Sequence, residues 1–259
     1  MIKSRLFALA LLLAPALAAA SGGESAMESS QIDLTDKASL QRGASLYMSY
    51  CSGCHALGFH RYSRTAEDLG LTKEQVEQNL IYGDAKIGEN IRTGVNADDG
   101  LAWFGKAPPD LSVIARAKAQ GPDWVYNYLK SFYIDESRPL GWNNTVFPGA
   151  SMPHVLWELQ GIQHPVTEAK HKNAAGEDEA CHKGEYQGRC ITGFEIPVKG
   201  RQTPEEFDRT ARDITAFLAY VGEPGAVKRE SVGVWAVLFL AFFTFLAYLV
   251  KVEYWRDVH

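Results

Sequence analysis

A mainly α-helical domain with long loops, followed by one C-terminal transmembrane helix, is the fold class this sequence predicts. Three observations carry it. Apolar residues recur at helical spacing in several separate segments, no stretch alternates in the manner of a convincing strand, and residues 231–250 contain no charged side chain. The chain has 259 residues, a formal charge of -5 and 46% hydrophobic residues, enough for one domain with appendages. No basic excess points to nucleic acid.

The elements follow in order. Lys3 and Arg5 precede an apolar run over residues 6–17, and Ala18, Ala19, Ala20 and Ser21 close it. This is the layout of a secretory signal peptide over residues 1–20, with an uncleaved anchor as the alternative. Its removal takes the charge from -5 to -7, because Lys3 and Arg5 go with it. A mitochondrial presequence would be longer and richer in Arg and Ser, so the source reads as bacterial. Residues 21–35 are small and polar, a flexible leader. A helix begins near Asp36, where Leu40, Ala44, Tyr47 and Cys51 share a face. Thr72 and Gln75 form a capping box for a second helix, with Val76 and Leu80 turned inward. Residues 82–109 read as loop.

Gly121 and Pro122 open a third helix whose apolar face is Trp124, Tyr128, Leu129 and Phe132. Turn residues return over 138–153, and residues 163–201 read as a polar, irregular loop. Thr203, Pro204 and Glu206 make a second capping box, followed by Phe207, Ala211, Ile214, Leu218 and Val221 along one face until Gly222 and Pro224. Residues 231–250 then reach about 30 Å at ~1.5 Å per residue, the thickness of a hydrocarbon core. Trp235, Tyr254 and Trp255 suit an aromatic belt at its ends. Lys228 and Arg229 balance Lys251 and Arg256, so the positive-inside rule gives no orientation. Export does. The body, residues 21–224, is expected in the periplasm of a bacterial inner membrane, and residues 225–259 form the single-pass anchor and a short cytoplasmic tail.

Chemistry concentrates in Cys51-Ser52-Gly53-Cys54-His55, the c-type haem attachment signature. Two thiols a helical turn apart add to the vinyl groups on one porphyrin edge, and the adjacent histidine reaches the iron. A thioredoxin-like pair would start a helix after a strand, whereas this motif ends one. A zinc site would need a second ligand pair, for which Cys181 and His182 are poor candidates. The motif occurs once, so one covalent haem c is expected. For the opposite axial ligand, Met1 falls in the signal peptide, Met27 in the leader, and Met48 on the helix of the cysteines. Met152 remains, in the turn-rich loop Phe147-Pro148-Gly149-Ala150-Ser151-Met152-Pro153. His60, His154 and His164 compete for the role, and His60 reads as a solvated surface residue. Histidine–methionine ligation raises the potential and suits electron transfer. Cys181 and Cys190 stand apart in the polar loop, and an oxidising compartment favours a disulfide between them.

At this point the sequence resembles the cytochrome c1 family, the haem subunits of the ubiquinol:cytochrome c oxidoreductase (bc1) complex, over nearly the whole mature chain. The resemblance rests on the haem motif, on Ala107-Pro108-Pro109-Asp110-Leu111-Ser112 with Arg116 after it, on Phe147-Pro148-Gly149 leading to Met152-Pro153, and on the C-terminal membrane helix. It implies a class I cytochrome c-like haem domain, thioethers at Cys51 and Cys54, axial bonds from His55 and Met152, and Pro109 against the haem edge. The family's second basic residue near Arg116 corresponds here to Lys118, which keeps the charge without the forked geometry. A propionate contact from either Arg116 or Lys118 is implied. Near Trp124 the family often has tyrosine.

The partners that the resemblance implies are cytochrome b and a Rieske iron-sulfur protein in a dimeric membrane complex, with a soluble or tethered cytochrome c as acceptor. No substrate-converting site of its own is called for, and no catalytic residue is assigned. A free-standing tethered carrier or an oxidase haem subunit is the alternative; such proteins more often carry an N-terminal anchor and lack the Pro-Pro-Asp-Leu-Ser element.

Overall fold

The computed structural model describes residues 27–172, 178 and 180–257. The expected signal peptide lies outside the described residues. In chain order the helices are α1 (Lys37–Tyr50), α2 (Tyr62–Leu69), α3 (Lys73–Asn79), α4 (Ala97–Phe104), α5 (Ile114–Ala117), α6 (Pro122–Lys130), α7 (Trp157–Gln160), α8 (Pro204–Gly222) and α9 (Ala226–Tyr254). The strands are β1 (Leu57–Arg61), β2 (Asn90–Ile91), β3 (Phe132–Ile134), β4 (Trp142–Asn144), β5 (Gly161–Glu168), β6 (Glu185–Tyr186) and β7 (Arg189–Lys199).

Helices α1 and α8 form the central pair. Asp36 caps α1 by accepting from the backbone N–H groups of Ala38 and Ser39 at 3.0 and 3.1 Å. Thr203 and Glu206 close the capping box of α8, with Pro204 at its start. The two cross at Gly43, where an added Cβ would lie 2.0 Å from the Asp213 carbonyl oxygen. That close approach lets Leu40, Ala44 and Tyr47 join Ile214 and Phe217 in one buried cluster. Beside the crossing the Asp213 carboxylate is buried but satisfied: Ser39 Oγ donates at 2.5 Å and Arg42 Nε at 2.6 Å. Helix α9 follows this body with its apolar window, of mean hydropathy 2.3, uncovered by any other of the described residues.

Five expectations need correction. Among the described residues strands are present, in three small antiparallel sheets ordered β1-β2, β3-β4 and β5-β7-β6. The polar loop at 163–201 is largely a hairpin, pairing Ile162 with Val198, Val166 with Gly193 and Glu168 with Cys190. Register shifts between Ile162 and His164 and between Val166 and Thr167 break the alternation, so the hairpin has no clean period of two. Within residues 82–109 the chain forms β2 and α4 instead of loop throughout.

His60 is not at the surface. It is 2% exposed, bonds Thr65 Oγ1 through Nε2 at 3.0 Å, and packs edge-on against Tyr220 at 5.3 Å. Finally, the leader is tied down from Glu28 onward. Ser30 donates to Asp123 through both its N–H and its hydroxyl, at 2.7 and 2.6 Å, and its carbonyl accepts from Arg212 at 2.8 Å. Glu28 meets Lys130 at 2.8 Å.

Candidate haem-binding site

The motif sits where α1 runs out. Cys51 N–H still donates to Tyr47 O at 2.8 Å, and His55 N–H closes a last turn on Cys51 O at 2.8 Å. Tyr47, fully buried, anchors the turn by donating its hydroxyl to His55 O at 2.7 Å. Burial, reinforced by Cys54, raises the Cys51 thiol to about 12. Both motif cysteines are free thiols, and both line a cavity of about 450 Å³.

The Pro-Pro-Asp-Leu-Ser element explains itself here. Asp110 accepts from Gly58 N–H and Ser112 N–H, each at 2.7 Å, and Ser112 Oγ accepts from Phe59 N–H at 3.1 Å. Leu111 N–H reaches Ala56 O at 2.9 Å. These bonds stitch the segment to the start of β1 and hold the Pro109 carbonyl 2.7 Å from His55 Nδ1. With Nδ1–H donating there, Nε2 is the ring nitrogen left to ligate. Burial lowers the His55 pKa, against the opposing pull of the Pro109 carbonyl and Asp110, so the neutral imidazole prevails.

The loop after β4 supplies a further part of the lining. Phe147, Pro148, Gly149, Ala150, Ser151, Met152 and Pro153 all line the same cavity as the motif and Pro109. Tyr128 Oη donates to Met152 Sδ at 3.6 Å, and burial raises that phenol so that it stays a donor. Trp124 stacks on Tyr128 at 4.9 Å, and Lys118 Nζ rests 4.0 Å above the Trp124 ring. Leu129, Ile214 and Leu218 supply the apolar floor. Lys118 therefore lines the cavity, whereas the Arg116 side chain runs along α8 at Gly222.

Among the described residues, Met48, His60, His154 and His164 do not line the cavity, and His154 instead stacks on Phe132 at 5.2 Å. Lys106, Trp124 and Tyr128 do line it and were not among the site residues inferred from sequence. Cys181 and Cys190 form a disulfide at the tip of the hairpin, away from the cavity lining.

A largely apolar cavity lined by two thiols, an imidazole and a thioether has the donor set of a covalently attached haem. The class is therefore that of a membrane-anchored c-type haem protein built for electron transfer. More narrowly, the chain belongs to the cytochrome c1 family, which it matches over residues 28–177 and 200–258. It is similar to cytochrome c1 of Allochromatium vinosum, 48% identical over all of both chains. It is 41% identical to a protein of Nitrosomonas europaea named ammonia monooxygenase gamma subunit, over 97% of each chain. Cytochrome c1 of Rhodospirillum rubrum is 26% identical over 86% of this chain and 83% of its own. Membership of this family makes the chain a bacterial electron-transfer subunit of the bc1 complex, working beside cytochrome b and a Rieske protein and carrying one covalent haem c.

Proposed function

We propose that the chain accepts electrons from the Rieske iron-sulfur protein and passes them to a soluble or tethered cytochrome c, within a dimeric complex. In this reading the haem supplies a reversible one-electron centre, and the polypeptide supplies its position, ligands and surroundings. Cys51 and Cys54 would hold it by thioethers, and His55 Nε2 and Met152 Sδ would be its protein donors to iron. Pro109 fixes the imidazole through its carbonyl and would pack against the haem. Lys118 and Lys106 on the cavity wall would provide positive charge for the propionates. Two protein donors to the iron would favour electron transfer over chemistry on a bound substrate.

The observation that supports this reading is that Cys51, Cys54, His55 and Met152 all line one largely apolar cavity. The haem domain, residues 21–224, is assigned to the periplasm and the tail beyond α9 to the cytoplasm, from the leader's charged, apolar and small-residue order.

Met152→Leu is the direct test. Loss of the sulfur donor lowers the potential, and the long-wavelength sulfur-to-iron band disappears from the oxidised spectrum. An unchanged band and potential would remove Met152 from the iron. Gentle detergent extraction, followed by identification of the co-purifying chains, tests the partners. Recovery with a cytochrome b and a Rieske protein is the expected result, and isolation alone would return the free-carrier reading.

A further inference from the structure

The Met152 loop has no regular secondary structure of its own, yet it must hold a thioether in place, so its backbone needs partners elsewhere. They come from β4. Asn144 is fully buried at 0% exposure. Its Oδ1 accepts from Val146 N–H at 2.9 Å and Phe147 N–H at 3.1 Å, at the point where the loop leaves the strand. Its Nδ2 donates to Tyr128 O at 2.8 Å, the backbone of the residue whose hydroxyl reaches Met152 Sδ. One carboxamide thus ties together the loop that carries the methionine and the helix that carries its hydrogen-bond donor.

The neighbours extend the clamp. Asn143 Oδ1 accepts from Gly149 N–H at 2.8 Å, while its Nδ2 donates to Asp135 at 2.8 Å. Arg138 donates to Gly149 O at 2.8 Å, so Gly149 is held at both its N–H and its carbonyl. Gly149 has φ +79°, a conformation that a side chain would strain, and it precedes Met152 by three residues.

We infer that Asn144 is the positioning residue for Met152, setting the loop so that the thioether stays on the iron rather than merely stabilising the domain. This rests on the proposed ligation by Met152. A buried amide with three bonds cannot be replaced by water when removed, and the freed N–H groups of Val146 and Phe147 release the loop from β4.

The test uses the full-length haem-loaded protein in detergent, with the sulfur-to-iron band and carbon monoxide binding to the reduced form as readouts. With both donors in place, the native protein is expected not to bind carbon monoxide. Asn144→Ala loses the band and gains carbon monoxide binding. Asn144→Ser, a milder change, loses the band on heating at a temperature below its global unfolding, whereas in the native protein the two coincide. Asp213→Asn destabilises the α1–α8 crossing, where its side chain bonds Ser39 and Arg42 rather than the loop, and serves as control; it lowers the unfolding temperature with the band intact. A folded Asn144→Ala that keeps its band and ignores carbon monoxide would overturn the inference, as would an Asn144→Ser band that melts only with the whole protein. Met152→Leu separates the two readings. If it too leaves the band unchanged, the ligand assignment fails; if it alone abolishes the band, Asn144 is not the positioning residue.

Discussion

His60 shows what a single buried side chain does to the response of this protein to acid. Burial, with Arg64 adding to it and Asp68 opposing, holds the His60 pKa at about 4, against 6.5 for an ordinary histidine. The sign follows from proton uptake. Between pH 6.5 and about 4 the unfolded chain binds a proton that the folded chain refuses, so stability falls as pH drops through that window. Once both pKa values are crossed the displacement amounts to a loss of about 3 kcal/mol relative to neutral pH. Thermal unfolding of the native protein and of His60→Asn between pH 7 and 4.5 measures it. The native midpoint is expected to fall more steeply, and parallel slopes would show that His60 contributes nothing to acid sensitivity. The spacing of the sequence gave no sign of this burial, because His60 follows the haem motif closely and its shielding comes from Phe217 and Tyr220 on α8, more than 150 residues away.

Elements carry the second lesson, and Gly43 is the sharpest case. The crossing of α1 and α8 depends on the absence of a side chain at that point. Gly43→Ala places a methyl against the Asp213 carbonyl and forces the helices apart, at a cost of about 2–3 kcal/mol. A glycine in mid-helix is ordinarily replaced by alanine with a gain, so the sign of the change in denaturant midpoint decides the matter. Both capped helices were legible in the sequence, since a capping box is a local pattern and its bonds stay within three residues. The haem motif was legible for the same reason, being a short run with fixed spacing, whereas Met152 was proposed by eliminating the other three methionines and from the family resemblance.

The β5–β7 hairpin was not legible. Its apolar positions switch faces at two register shifts, and its anchoring comes from Tyr133 against Phe194 at 5.9 Å and from Gln163 donating to Phe132 O at 2.7 Å. Lys106 was missed because nothing in its immediate sequence marks it. Only the folding of α4 beside the Pro108–Pro109 segment brings it to the cavity wall.

On the scale of the molecule, the anchor and the body are separable in energy. The apolar window of α9 buries nothing against the domain, whose core is complete with α8. Truncation after Lys228 should therefore release a haem protein that stays in solution without detergent, with its visible spectrum and unfolding temperature unchanged. A lower unfolding temperature would show that the helix supports the body. The remaining architecture has an order in time. Ser30 meets Arg212 across 182 positions of the chain, and Arg42 meets Asp213 across 171. The segment that starts the domain and the helix that bears Cys51 and Cys54 thus wait for α8, the last part of the domain to be synthesised, before they can lock. Contacts this distant form late, since the chain between them must first be brought together. On that ordering the cysteine motif would stay open to modification through the earlier stages, and the closing of α8 over α1 would come after them.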